Sequence, residues 1–360
     1  MSGSGGVLSS AFGPSGALVC GNTEGDIAVW PTHKAQKAAN SQSGYRIKGA
    51  HPGGPIYAIS FPDEKGKPEL LATGGDEEIR LWNLKAVIQG GNSSSSPSPH
   101  KPLCILRNPQ KKGTRQFTSP VAETNGLVST RDGTMYAASG DGNVYGWDLS
   151  TQKCVCTLSG HEDTVYCVTT APASAGSSLL CSGSEDGTVR GWDVRTHKEA
   201  FVLNPLTGKE MVKNNHSGVS SKGGGGGGGG GGDTKRAAWI GCLASDLSGN
   251  WMASGGGDSF VALWHIGSRR VTCTMPTAGT PQAVMFYNDT VVSAGNESFV
   301  FHWSMSGEMI GKVGCKSKSV FSLAAANKTS SSSKQQFVAT GLNSIDLYLT
   351  KSVASNSWTF

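Results

Sequence analysis

Seven times along the chain, a short run ends in an aromatic residue with the same spacing behind it. GDIAVW ends at Trp30, EEIRLW at Trp82, GNVYGW at Trp147, GTVRGW at Trp192, SFVALW at Trp264, SFVFHW at Trp303 and NSIDLY at Tyr348. Three residues before each aromatic stands a β-branched residue: Ile27, Ile79, Val144, Val189, Val261, Val300 and Ile345. Such residues favour extended backbone because the branch fits a pleated surface. Six residues before the aromatic stand Glu24, Asp76, Asp141, Asp186, Asp258 and Glu297, with Leu342 in the last unit. Upstream of each acid lies a run of small residues, such as AASG, CSGS and ASGGG. Each unit therefore reads as a small-residue strand, a tight acidic turn and a second strand closing on an aromatic. Asp141-Gly142 and Asp186-Gly187 have the chemistry of hairpin turns.

Two units add a histidine. His51 lies 31 residues before Trp82 and His161 lies 31 before Trp192, with Gly160-His161 forming a Gly-His pair. A buried imidazole can bond the turn carboxylate, and a hydroxyl and the indole N–H can extend that network within one unit. Gly-His, then Asp, then the Trp-Asp pairs Trp147-Asp148 and Trp192-Asp193, at a period of about 40–45 residues, resemble the WD-repeat family. The resemblance implies an all-β fold, a seven-bladed β-propeller, with His51, Asp76, Trp82, His161, Asp186 and Trp192 as structural residues of the repeat network.

Successive aromatics are 52, 65, 45, 72, 39 and 45 residues apart. The long gaps coincide with low-complexity sequence: polar residues at 35–44, a Ser/Pro-rich stretch at 89–101, residues 204–236 with ten consecutive glycines at 223–232, and a Ser-rich stretch at 327–336. These read as flexible insertions in one propeller spanning 1–360. The first inner strand is expected near Val7–Phe12. Trp358-Thr359-Phe360 is then expected as the last outer strand, closing the ring with the C-terminal residues.

Composition narrows the function classes. Only 16% of residues are charged, the net charge is +5 and 51 residues are glycine, a profile of short strands and tight turns. Nine cysteines occur without any C-x-x-C, and Cys154 and Cys156 form a C-x-C. Cys20, Cys167, Cys181 and Cys242 lie in apolar runs. An odd set without a pairing pattern fits a reducing compartment. The start, Met1-Ser2-Gly3-Ser4-Gly5-Gly6, has no basic segment followed by an apolar one, so no signal peptide is expected, and no stretch of 18 apolar residues occurs, so no membrane-spanning helix is expected.

No phosphate-loop, zinc-protease or nucleophile-elbow motif occurs, and the Gly255–Gly257 run precedes a strand. His265 and His302 flank strand tryptophans and read as packing or solvent-facing residues. No catalytic residue, cofactor or metal is expected. Basic residues gather at Lys111-Lys112-Gly113-Thr114-Arg115, Lys235-Arg236, Arg269-Arg270 and Lys316-Ser317-Lys318. They read as solvated loop tips, so any RNA contact would be weak or indirect.

Leu180 to Arg195, LCSGSEDGTVRGWDVR, resembles the DWD box, by which WD-repeat receptors of cullin-4 ubiquitin ligases dock on the ligase's propeller adaptor. The resemblance implies docking through Trp192, Asp193 and Arg195. Gly191 departs from it, standing where the box has a larger apolar residue.

A second resemblance is broader. Trp239 to Asp246 (WIGCLASD), Trp251 to Gly257 (WMASGGG), Leu263-Trp264-His265, Phe286-Tyr287-Asn288-Asp289, Val292 to Gly295 and Trp303 to Glu308 (WSMSGE) are similar to the THO complex subunit 6 family. So is the opening Gly21 to Ile27. That family implies a non-catalytic scaffold in the nucleus, held against other THO complex subunits, in messenger RNA processing and export. Plant members are also viewed as DWD receptors, which leaves the cullin-4 adaptor as the alternative partner.

Overall fold

All seven aromatics fall on the third strand of a sheet, and the seven sheets make the blades of an all-β propeller. The computed structural model describes residues 5–31, 44–62, 69–76, 78–90, 101–109, 122–130, 132–172, 178–211, 238–326, 336–342, 344–348 and 354–358. Blade 1 is β1 (Val7–Phe12), β2 (Leu18–Asn22), β3 (Ile27–Trp30) and β4 (Tyr45–Ile47). Blade 2 is β5 (Ile56–Ser60), β6 (Leu70–Gly75), β7 (Ile79–Asn83) and β8 (Cys104–Leu106). Blade 3 is β9 (Thr124–Ser129), β10 (Thr134–Ser139), β11 (Asn143–Asp148) and β12 (Lys153–Ser159). Blade 4 is β13 (Val165–Pro172), β14 (Ser178–Ser184), β15 (Val189–Asp193), β16 (Lys198–Asn204) and β17 (Lys209–Glu210). Blade 5 is β18 (Ile240–Ser245), β19 (Trp251–Gly256), β20 (Phe260–His265) and β21 (Arg270–Pro276). Blade 6 is β22 (Pro281–Tyr287), β23 (Thr290–Gly295), β24 (Phe299–Trp303) and β25 (Met309–Gly314). Blade 7 is β26 (Val320–Ala325), β27 (Phe337–Gly341), β28 (Ile345–Tyr348) and β29 (Ala354–Trp358). Within each blade the strands pair in sequence order and antiparallel, and the first strands of neighbouring blades meet around a central channel.

No blade buries its own faces, so the core lies between blades. Seven apolar clusters fill the seven gaps. In each, the third-strand aromatic packs against the preceding blade. Trp82 meets Val19 and Val29 of blade 1, and Trp192 meets Tyr136 and Val144 of blade 3. Trp30 meets Val338 and Leu347 of blade 7. The β-branched residues three positions earlier are all fully buried. Each gap thus holds the aromatic of one blade and the branched residue of the blade before it, as Trp82 with Ile27 and Trp192 with Val144, which is why both recur while the rest of each repeat varies.

Three expectations change. The last outer strand is Ala354–Trp358, paired with β28 of its own blade, and Thr359 and Phe360 lie outside the described residues. The ring closes where β1 packs on β26, each blade keeping its own consecutive strands, so no C-terminal strand is lent to blade 1. The stretch from Asn204 does not begin as a flexible insertion. Asn204 Oδ1 accepts from Leu206 N at 2.9 Å, and the turned chain adds β17 as a fifth strand beside β16. Arg269 Nη1 reaches Glu210 Oε1 at 2.7 Å and its guanidinium lies 5.2 Å from the Phe201 ring, so this turn straps blade 4 to blade 5. Of the four expected insertions, residues 35–43, 91–100, 212–236 and 327–335 lie outside the described residues. So do Lys111 to Arg115 and Lys235-Arg236. Before the Ser/Pro-rich stretch, the helix Leu84–Gly90 starts where Asn83 Oδ1 caps Ala86 N at 3.1 Å, and it buries Leu84 and Val87 between blades 1 and 2.

Candidate functional site

The face at which every inner strand begins, the front face, carries the acidic turns and a bulged rim. All seven inner strands bulge there. Two residues on the inner strand oppose one on its neighbour, and the extra residues are Leu8, Tyr57, Asn125, Tyr166, Gly241, Gln282 and Phe321. A bulge re-aims its side chain. The preceding residue in each strand is buried, whereas each extra residue is half-exposed. Six of the seven, Gln282 excepted, line the central channel, a cavity of about 220 Å³.

The rim is lopsided. On blade 4, Tyr166 Oη donates to Glu185 Oε2 at 2.9 Å, and its ring meets Trp239 edge-on at 5.8 Å. Burial, the hydrogen bond to Glu185 and the charges of Glu185, Asp163 and Glu123 push the Tyr166 phenol up to about 12. Tyr57 on blade 2 is also pushed up to about 12, by burial, by its hydrogen bond to Asp76 and by the charges of Asp76 and Glu123. Glu123 thus lies within electrostatic reach of both phenols.

In blade 4 the repeat residues form one continuous chain of contacts. His161 Nδ1 lies 2.9 Å from Asp186 Oδ2, and its Nε2 lies 2.8 Å from Ser182 Oγ. Trp192 Nε1 donates to the same Ser182 Oγ at 2.8 Å. With Asp186 as acceptor, Nδ1 carries the proton, the serine hydroxyl donates to Nε2, and the indole donates to the serine. Burial alone would raise the Asp186 carboxyl. The hydrogen bond and charge of His161, with the Thr188 hydroxyl and amide, outweigh it and hold the group well below the usual carboxylate range.

Blade 2 keeps half of this network. His51 Nε2 lies 2.8 Å from Thr73 Oγ1, which also accepts from Trp82 Nε1 at 2.9 Å. Asp76 turns to Tyr57, and no hydrogen bond joins it to His51 among the described residues. Burial, and then the positive charge of Arg80, lower the His51 imidazole to about 4 against the opposing charge of Glu78. The hydroxyl partners are the residues the repeat pattern leaves unnamed. Trp264 and Trp303 donate to Ser254 and Ser293 at 2.9 and 2.8 Å. A Ser or Thr nine or ten residues before the tryptophan is the signal that finds them.

The DWD-like residues separate by face. Trp192 is buried between blades 3 and 4. Asp193 and Arg195 emerge on the back face, opposite Asp186, where Arg195 N donates to Asp193 Oδ1 at 2.9 Å. The Arg195 side chain is 79% exposed, with its guanidinium 3.9 Å from Asp193. Gly191 departs from the box for a local reason: a Cβ there would overlap the Phe201 ring, which fills the space a larger residue would need.

Other candidates are structural. All nine cysteines are free, and burial raises the thiols of Cys181 and Cys242 to about 12. His302 is buried against Phe337, whereas His265 is half-exposed and bonds Ser268 at 3.1 Å. Among the described residues no helix is long and apolar enough to cross a membrane, and no three His, Cys, Asp or Glu form a metal-binding group.

Comparison with known proteins agrees with this geometry. The family model "WD domain, G-beta repeat" matches residues 152–193 and 234–265, the third strand of blade 4 and that of blade 5 included. The chain is 30% identical over 280 residues to THO complex subunit 6 of Arabidopsis thaliana, covering 77% of this chain and 68% of that protein. It is 27% identical over 322 residues to the THO complex subunit 6 homolog of Mus musculus, covering 88% and 81%. The Homo sapiens THO complex subunit 6 is likewise 27% identical over 322 residues, again covering 88% and 81%. A ring of seven WD-type blades with identity of this extent places the chain in a known group: it belongs to the THO complex subunit 6 family.

Proposed function

We propose that this chain is a non-catalytic scaffold subunit of a THO complex, acting in the nucleus in messenger RNA processing and export. The observation that carries the reading is the 30% identity to a THO complex subunit 6 over 77% of the chain. The physical side supports it. A ring held by seven interblade cores is a rigid frame, and loops on a rigid frame carry recognition. The partners are other THO complex subunits, with RNA reached through them. The test is affinity purification of the tagged chain from nuclear extract with nuclease present. Recovery of the other THO subunits is the expected result, and their absence overturns the reading.

A second reading, docking on the cullin-4 adaptor through Asp193 and Arg195 beside the buried Trp192, is favoured by one observation: the Arg195 side chain stands exposed on the back face. The Arg195→Ala variant tests it in the same purification. Loss of the adaptor with the fold intact supports docking, and unchanged recovery removes it.

A further inference from the structure

The front-face rim has a chemistry that the repeat pattern does not require. The bulges on blades 2 and 4 aim two phenols, Tyr57 and Tyr166, at the channel mouth, and Trp239 stands edge-on to the second. Each phenol is bonded to a carboxylate, Asp76 or Glu185. Glu123 lies within electrostatic reach of both phenols, and Asp163 within reach of Tyr166. None of these four carboxylates forms an ion pair among the described residues, whereas Glu78, Glu199 and Glu210 each hold an arginine. A carboxylate that accepts from a phenol keeps further lone pairs for a cation, and tyrosine and tryptophan rings attract ammonium and guanidinium groups. The mouth opens on a cavity of about 220 Å³ lined by the inner strands.

The geometry points to this arc of the channel mouth, from Tyr57 to Trp239, as a docking surface for an extended lysine- or arginine-bearing segment of a partner protein. The inference rests on the scaffold reading and gives it a face. The charge on the arc selects a basic polypeptide and repels nucleic acid phosphates. It uses the front face, leaving Asp193 and Arg195 on the back face free.

The test is fluorescence anisotropy on the full chain with a labelled peptide of alternating lysine and serine, and with a matching peptide of glutamate and serine. Single-stranded oligouridylate is the third probe. The lysine peptide binds and the other two do not. Glu123→Gln with Glu185→Gln weakens binding about tenfold, as expected for two partly exposed ion pairs. Asp289→Asn with Glu308→Gln, in turns of the back face, leaves it unchanged. Both double variants are checked for an unaltered thermal midpoint. Equal loss in both variants, no lysine-peptide binding, or preference for the oligouridylate each overturns the inference. THO subunits copurifying with a chain that ignores the lysine peptide would sink this inference alone. Lysine-peptide binding without THO subunits would sink the scaffold reading.

Discussion

His161 and His51 occupy the same position in their blades and differ in what they touch. His161 bridges a carboxylate and a hydroxyl, whereas among the described residues the His51 ring bonds the hydroxyl alone and faces Arg80. The two networks therefore respond to acid in different windows. The folded His51 resists protonation until about pH 4, while its unfolded counterpart takes up a proton near 6.5. The unfolded state binds more protons between those values, so stability is complete above the higher one and falls as the pH drops towards the lower. Urea unfolding at stepped pH should show this slope, and His51→Asn should flatten it. Asp186 acts lower. Its stabilising contribution is present above the ordinary value of 3.8 and is lost as the pH falls below it towards its depressed folded value. At neutral pH, His161→Ala should cost about 1–3 kcal/mol by taking one hydrogen-bond partner each from Asp186 and Ser182. Trp192→Ala should cost about 3–5 kcal/mol by opening a cavity between two blades. Chemical denaturation measures both.

Single strands show what is legible in the sequence and what is hidden. The third strands are readable because one aromatic and one branched residue must fill every interblade gap, whatever the rest of the blade does. The bulges on the inner strands are not, because a bulge exists only in the pairing of two strands: nothing in Ile56-Tyr57-Ala58 announces that Tyr57 is the unpaired residue. The strand β17 is hidden for another reason. A polar turn at Asn204 looks like a loop until Arg269, far along the chain, supplies the partner for Glu210. At Gly191 the departure from the box is visible in the residue itself, but its cause, Phe201, is visible only in the packing. Gly191→Ala should therefore destabilise by about 1–3 kcal/mol through overpacking. Combined with Phe201→Leu, the double variant should lose less than the two single losses added, a coupling that a double-mutant cycle reads directly.

At the scale of the ring, six of the seven blade interfaces are bridged by a connecting segment of chain, and the interface between blade 7 and blade 1 is not. That seam is held by Trp30 and its apolar neighbours and by the Ser10 hydroxyl and amide against Ser322, with distances of 2.9 and 3.1 Å. Hydrogen exchange should run faster in β1 and β26 than in β13 and β18, which meet at a bridged interface. Equal protection would show that packing alone fastens the seam as firmly as a connector does. The molecule is in this respect a split washer. Stress applied anywhere on its rim relaxes first by widening one radial slit, and a binding partner that spans the slit acts as a rivet for the whole ring.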